Sequence, residues 1–339
     1  PVLVEKEYTV KAPDEAEYSA LLEEMDGSGT QANPYIITNL SQLQAMEGDL
    51  DAHYIITTNI NATETTEWND ARGFWNSAKG FSPIGDSNEK FTGTLDGTGY
   101  VISELTITQR NRESVGLFGH VGPSGAIINT TLSEVDITGG SDTIATGSFV
   151  GTLEGTVSNA TANGTVTARR NVGGISGYSY GVINRSSSSG SISSTGGTAG
   201  GIVGQLDPGV DGSEVTNSYT QASVRGETAG GIVGGAFGGT TVASSYASGP
   251  VTGTYAGGIA GDARTDLVQQ SYWDTDVTGQ SSSAGAGEEL GLNTSEMIGQ
   301  AARTNMTGLE FGAVWKPQPN GYPIPTSQSI DDSDEDNNG

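Results

Sequence analysis

The sequence predicts an all-β fold, a parallel β-helix (solenoid) with short capping helices at its ends, and three regularities support this prediction. The first is a glycine motif of the form GG-x-x-G, or a close variant, that recurs six times. The closing glycines are Gly119, Gly151, Gly177, Gly204, Gly234 and Gly261, so the intervals between them are 32, 26, 27, 30 and 27 residues. Repeats of this length are typical of stacked units that each bury little surface alone.

The second regularity is a constant interval between apolar residues in six repeats. The first members are Ile128, Val157, Ile183, Val215, Val242 and Val268. Nine positions later stand Ile137, Val166, Ile192, Val224, Val251 and Val277. A constant interval predicts two short strands joined by one turn of fixed length.

The third regularity concerns the two residues before each closing glycine. The earlier one is always large and apolar: Leu117, Phe149, Ile175, Ile202, Ile232 and Ile259. The later one varies, from Phe118 to Ser176 to Ala260. Because strand side chains alternate between faces, we expect the constant position inside and the variable position on the surface. Stacking then aligns like residues, and we interpret Tyr219, Tyr246 and Tyr272 as a structural aromatic column rather than a sugar-binding platform.

Residues 1–29 precede the repeats. Residues 1–12 alternate as a strand does, and a short amphipathic helix follows at 14–25. One face of the predicted strand carries the candidate assembly residues Val2, Val4, Tyr8 and Val10. Residues 30–60 then indicate strand, short helix and strand, with Asn39 or Ser41 as the helix cap. Helices at this place would cover the open end of the solenoid.

The solenoid is expected over residues 30–325. A strand is predicted from Val101 to Ile107. Length varies mainly at 207–214, 235–241 and 262–267, so these insertions should emerge along one edge. Near the end we expect a flexible stretch over 281–289, a helix begun by Asn293 or Thr294, and an edge strand around Trp315 that closes the solenoid. Residues 326–339 form an acidic tail or linker.

The composition is strongly acidic, with a formal net charge of −26. Such a surface repels nucleic acid and anionic membranes, so neither is an expected partner. It is typical of proteins that stay soluble in high salt, which predicts a halophilic, and specifically haloarchaeal, source. There is no cysteine, so no disulfide can form. No apolar segment is long enough to cross a membrane, so no membrane insertion is expected within this chain. No signal peptide is evident either, and we interpret Pro1 as the start of a mature or excised form.

The sequence resembles the GLUG repeat, found in stalks of IgA-protease-like and other large surface proteins of bacteria and archaea. The resemblance covers roughly residues 30–325, through YIITTNINAT, GFSPIG, FTGTLDGTGYVISELTI, the six glycine motifs and the YWDTDVTGQ…GYPIP ending. It implies a right-handed parallel β-helix on a secreted or cell-surface protein. It implies no catalytic residues, because the repeat is a stalk module.

Residue patterns for chemistry are sparse. The two histidines, His53 and His120, are interpreted as structural, and no zinc-protease, nucleophile-elbow, P-loop or dinucleotide motif occurs. The variable edge carries a candidate calcium or acid–base cluster of Asp207, Asp211, Asp262 and Asp266, close to Arg264. The tail spacing Asp332, Asp334 and Asp336 lacks the glycine of a calcium loop and is interpreted as a solvated linker. Candidate glycosylation sites are Asn39, Asn61, Asn129, Asn159, Asn163, Asn184, Asn293 and Asn305.

These patterns favour a non-catalytic extracellular structural or adhesive protein that self-associates or binds a cell-surface or glycan partner. In its more specific form it is a filament subunit, assembled head to tail through residues 1–12. Two alternatives stay open: a β-helix that binds or degrades polysaccharide, which requires a groove with carboxylates and exposed aromatic residues, and a viral spike.

Overall fold

The computed structural model describes residues 13, 15–68, 79–209, 212–287 and 290–327. Over these residues the chain winds into a parallel β-solenoid. Each complete coil contributes to four sheets, which it visits in the same order. The third and fourth sheets have six strands each, which gives six complete coils. The predicted fold class is therefore confirmed.

The first sheet has nine strands: Tyr35–Ile37, His53–Ile56, Thr94–Asp96, Ala126–Ile128, Thr156–Ser158, Val182–Asn184, Ser213–Thr216, Thr240–Ala243 and Val268–Gln269. The second has thirteen: Ile60–Asn61, Lys79–Gly80, Val101–Ser103, Thr106–Gln109, Thr131–Gly139, Thr161–Ala168, Ser187–Ser194, Tyr219–Thr220, Ser223–Arg225, Tyr246–Ala247, Val251–Thr252, Tyr272–Asp274 and Gly291–Leu292. The second sheet is parallel except where Lys79–Gly80 pairs antiparallel with Thr106–Gln109.

The third sheet comprises Ser114–Val115, Ala145–Gly147, Asn171–Gly173, Thr198–Gly200, Thr228–Gly230 and Tyr255–Gly257. The fourth comprises Phe118–Val121, Val150–Leu153, Ser176–Ser179, Val203–Leu206, Val233–Ala236 and Ala260–Ala263. The glycine motif lies where the chain bends from the third sheet into the fourth. An added Cβ at Gly204 would lie 2.5 Å from the backbone nitrogen of Val172, across the interior. The recurring glycines are therefore needed because two backbones approach closely there.

The aliphatic columns of the interior follow the predicted spacing in four coils. Register pairs Val157 with Ile183, and Val166 with Ile192, and both columns continue through the next coils. In the second complete coil, which contains Ile128, the prediction was wrong by one position: Ile127, not Ile128, pairs with Val157. The interval there is ten because the strand Thr131–Gly139 carries one extra residue between Leu132 and Val135.

Two further expectations about the repeats are wrong. Val277 is exposed in a short helix, Thr275–Thr278, because the chain leaves the solenoid after Tyr272–Asp274. The variable position before each closing glycine is fully buried, in Ser176 and Ala260 as much as in Phe118. The bend between the third and fourth sheets interrupts the alternation of strand faces, so the residues on both sides of it are buried.

A column of hydroxyl groups stabilises the bend between the first and second sheets. Its members are Thr130, Ser186, Ser218, Ser245 and Ser271, interrupted by Ala160. Each hydroxyl donates to the carbonyl oxygen two residues earlier in its own chain segment. The serine hydroxyls also accept the backbone N–H of the preceding coil. Backbone groups that the strand ladder leaves free at the bend are thereby satisfied.

Helices cover the N-terminal end, as predicted. Glu15–Glu24 and Leu40–Ala45 join the main core through Leu22, Met25 and Leu43, and the 3₁₀ helix Met46–Gly48 continues the second helix. Asn39, not Ser41, is the cap, since its side chain accepts the backbone N–H of Gln42 at 3.0 Å. A further 3₁₀ helix spans Thr63–Thr66.

The opposite end differs from the prediction. Residues 281–287 do not form a free stretch: the Ser283 hydroxyl accepts the backbone N–H groups of Ile259 and Ala260, and Ser282 O accepts that of Gly258. This segment therefore covers the edge of the last coil.

The predicted strand Val101–Ile107 is in fact two strands, because Glu104 between them adopts a left-handed conformation, with φ 60°.

The C-terminal elements pack on the side of the solenoid rather than on its end. Asn293 begins the helix Thr294–Met297, the helix Gly299–Asn305 follows, and Trp315–Gln318 forms an antiparallel hairpin with Gly321–Pro325. The hairpin and helices cover the tyrosine column, whose register is confirmed. Tyr246 is completely buried and donates to Pro323 O at 2.6 Å, which supports the structural interpretation of the column.

Candidate functional site

The described surface contains a groove that crosses several coils where the fourth sheet turns back to the first. It consists of two adjacent depressions that share Pro208, of about 710 Å³ and 420 Å³. The larger is lined by His120, Glu154, Tyr178 and Tyr180 among others, and the smaller by Gln205, Asp207, Phe237 and Arg264. We call the two together the outer groove. The larger depression alone has the volume of a small-molecule site.

Stacking places one side chain of each coil in the same row of the groove. Glu154, Tyr180, Asp207 and Phe237 each come directly after a strand of the fourth sheet. The ladder continues through them, since Tyr180 N donates to Leu153 O at 2.7 Å and Asp207 N to Ser179 O at 3.0 Å. Successive residues of this row are therefore one strand spacing apart, about 4.8 Å.

An aromatic pair occupies the middle of the outer groove. Tyr178 and Tyr180 are half-buried, and their ring centroids lie 4.9 Å apart with the ring planes inclined by 29°. The Tyr178 hydroxyl donates to the Asp207 carboxylate and accepts from the Gln205 amide at 3.0 Å. Burial and the adjacent Asp207 carboxylate raise the pKa of Tyr178, so its hydroxyl stays protonated.

A charged cluster forms one end of the outer groove. Glu154 accepts from Lys90 Nζ at 2.7 and 2.9 Å and contacts His120 Nε2 at 3.2 Å. Burial lowers the pKa of His120 despite the hydrogen bond to Glu154. Burial would raise the pKa of Glu154, but hydrogen bonds from Lys90 and His120 outweigh it and lower the pKa. Glu154 is therefore a stable anion held by a cation, which is the reverse of a general acid.

The predicted aspartate cluster is only partly tested by this geometry. Asp207 is half-buried and bonded to Tyr178, Asp262 and Asp266 are exposed, and Asp211 lies outside the described residues. In the described ranges no three His, Asp or Glu side chains come together as metal ligands. Calcium binding at this edge stays a prediction.

The candidate glycosylation sites fall into two groups. Asn39, Asn61 and Asn163 are exposed, whereas Asn129, Asn159, Asn184, Asn293 and Asn305 are half-buried. Several amide nitrogens are already donors between coils, as in Asn159 to Asn129 at 2.9 Å and Asn129 to Asp96 at 3.0 Å. A glycan on either of these two would replace one of the two hydrogens of an amide nitrogen that already donates between coils. The assembly residues Val2, Val4, Tyr8 and Val10, and the tail Asp332, Asp334 and Asp336, lie outside the described residues.

Sequence reasoning missed Glu154 and the tyrosine pair of the outer groove. The available signal was the segment YSY, Tyr178 to Tyr180, directly after a closing glycine. Residues two apart on a strand share a face, so this pair marks an aromatic patch on one side of the coil.

Comparisons with known proteins find two relatives by sequence and one similar solved structure, and they establish no family. No family model matches the chain. It is similar to halomucin of Haloquadratum walsbyi, 38% identical over 181 residues, and to a provisionally named Gly-rich membrane protein of Evansella cellulosilytica, 30% identical over 158 residues. The matched segments are 52% and 47% of this chain but only 2% and 15% of those proteins.

A solved structure has the same architecture. A Bacteroides ovatus protein provisionally named as an immunoglobulin A1 protease superimposes with a TM-score of 0.67, covering 94% of this chain and 98% of that one. At 21% identity this similarity shows the fold alone. Within the described ranges, no helix combines the length and apolar character needed to span a bilayer.

Proposed function

We propose that this chain is a non-catalytic module of an extracellular, surface-displayed protein, with a structural or adhesive role. The observation that carries the proposal is the uninterrupted stack of six coils, whose interior is occupied by aliphatic columns and close-packed glycines. Each coil contacts its neighbours, so the module extends by repetition, as a spacer or stalk requires.

Two further observations support a surface role. One relative is named halomucin and the other is provisionally named a Gly-rich membrane protein, and the similarity to halomucin supports a haloarchaeal source. A net charge of −26 suits high ionic strength, where salt screens the self-repulsion that this charge would otherwise cause. The provisional protease name of the structural neighbour supports no activity here, because a similarity at 21% identity shows the fold alone.

The test is accessibility on intact cells. An antibody against this chain should label whole cells of the source organism as strongly as permeabilised ones, and added protease should remove the label. Label that appears only after permeabilisation would contradict surface display.

Filament assembly through residues 1–12 is the more specific form of the proposal. It is supported by the alternation of Val2, Val4, Tyr8 and Val10 in a segment outside the repeats. Deleting residues 1–12 should abolish polymers seen by negative-stain microscopy while the circular dichroism spectrum is retained. Polymers of unchanged length would contradict assembly through this strand.

A further inference from the structure

We propose that the outer groove binds a neutral oligosaccharide, with Tyr178 and Tyr180 as the stacking platform and Asp207 and Gln205 as hydrogen-bonding partners for its hydroxyl groups. This extends the proposed surface role to a ligand class, but binding and surface display are measured independently.

The first argument is shape. The two depressions lie side by side along the solenoid axis, and the positions from His120 to Gln205 span three coil spacings, about 14 Å. A groove of this form accepts a short extended chain that lies across several coils. A free peptide strand would need an unpaired sheet edge, whereas the groove presents strand faces paired on both sides.

The second argument is the aromatic pair. Sugar rings present C–H faces that stack on aromatic rings, and Tyr178 and Tyr180 are partly exposed within the larger depression. Their mutual contact and the hydrogen bonds on the Tyr178 hydroxyl hold the platform in place before a ligand arrives. A preorganised platform loses little conformational freedom on binding.

The third argument is the supply of polar groups beside that platform. Asp207 uses its carboxylate for Tyr178 and, more weakly, for Gln205 Nε2 at 3.4 Å. A carboxylate offers about four acceptor positions, so it can also accept from sugar hydroxyls. Gln205 lines the same depression, and Phe237 adds apolar surface on its far side.

Charge selects a neutral ligand. Glu113, Glu154 and Asp207 line the outer groove. Of the two cations that the described residues place at the groove, Lys90 is paired with Glu154 and Arg264 lines the smaller depression, so the carboxylates outnumber the cations. The chain carries a net charge of −26, so an acidic glycan would be repelled. A neutral chain avoids this repulsion.

The groove is arranged for binding rather than for hydrolysis. Glu154 and Asp207 are two coils apart, which places their backbones about 10 Å from each other. An acid–base pair also needs one carboxyl group with a raised pKa, but the pKa of Glu154 is lowered. Glu154 therefore does not have the environment of a proton donor.

The experiment measures binding of malto-, cello- and manno-oligosaccharides to the full chain by isothermal titration calorimetry, alongside an acidic uronate oligosaccharide. We expect at least one neutral series to bind and the uronate series not to bind. Tyr180→Ala should weaken binding about tenfold or more, equivalent to about 1.4 kcal/mol, and Asp207→Asn should also weaken it.

The matched control is Tyr255→Ala. Tyr255 is 62% exposed on the third sheet and lies outside the outer groove, so its removal should leave binding unchanged. Circular dichroism and the unfolding midpoint verify that each variant is folded. The proposal is overturned if no neutral series binds, if only the uronate series binds, or if Tyr255→Ala reduces binding as much as a folded Tyr180→Ala. Surface labelling could still succeed in each of those cases.

Discussion

Replacing Ser218 by alanine tests whether the hydroxyl column holds the coils together. Ser218 is completely buried, donates to Thr216 O at 2.8 Å and accepts from Ser186 N at 3.1 Å. After the change Thr216 O keeps a partner, because Arg185 N donates to it at 3.1 Å. The Ser186 N–H does not, and an unsatisfied buried N–H costs about 1–3 kcal/mol. We therefore expect the free energy of unfolding to fall by about 2 kcal/mol.

Two measurements check this prediction. Urea unfolding followed by circular dichroism gives the loss of stability, and hydrogen exchange should show faster exchange at the Ser186 amide. Ser223→Ala is the control, because Ser223 is exposed on the strand Ser223–Arg225 and its loss should change stability by less than about 0.5 kcal/mol. Ser218→Thr should retain most of the stability, since Thr130 occupies the same column. A loss below about 0.5 kcal/mol with an equally protected Ser186 amide would refute the reasoning.

Three other predictions concern stability. Gly204→Ala should lower the free energy of unfolding in urea by about 3 kcal/mol, because its Cβ would lie 2.5 Å from Val172 N. Gly196→Ala is the control and should lower it hardly at all, because the nearest atom to its Cβ would be 3.8 Å away. Equal losses in the two variants would contradict the close-approach explanation. Burial lowers the pKa of His120, so the unfolded chain binds more protons than the folded one in mild acid, and the free energy of unfolding should fall as pH drops from about 7 to about 5. His120→Gln should reduce this dependence of stability on pH. An unchanged dependence in the variant would contradict the role of His120. Raising NaCl from about 0.1 M to about 1 M shortens the screening length from about 10 to about 3 Å, so the thermal midpoint should rise, and a constant midpoint would exclude charge repulsion as a main destabilising term.

The repeat could be predicted from sequence because its constraints are local and recur. The closing glycines mark close backbone approach, and residues such as Val166 and Ile192 take the same place in successive coils. The helical cover of the first coil was also predictable, since Asn39 is a typical cap before an apolar helix face.

Errors arose where one residue or one distant contact changes the geometry. The extra residue between Leu132 and Val135 means that Ile127, and not Ile128, takes the buried position in the column. Both residues are isoleucine, so the sequence pattern did not distinguish them. The stretch beginning at Ser281 has a flexible composition, yet Ser283 finds backbone partners on the last coil. Trp315 suggested an end strand, but the hairpin that contains it is held by the tyrosine column on the side of the solenoid.

The sequence by itself determined a stacked, acidic β-solenoid, because periodic glycines and aliphatic residues leave few other ways to bury the apolar positions. It also pointed to Asp207 and Arg264, but only the tertiary structure brought these two together with Glu154 and Tyr180 along one groove. Glu154, Tyr180 and Asp207 are separated by whole coils in the chain and become neighbours only when the ladder aligns them. Their spacing depends on the register between coils, and register is a property of the packed stack rather than of any one repeat.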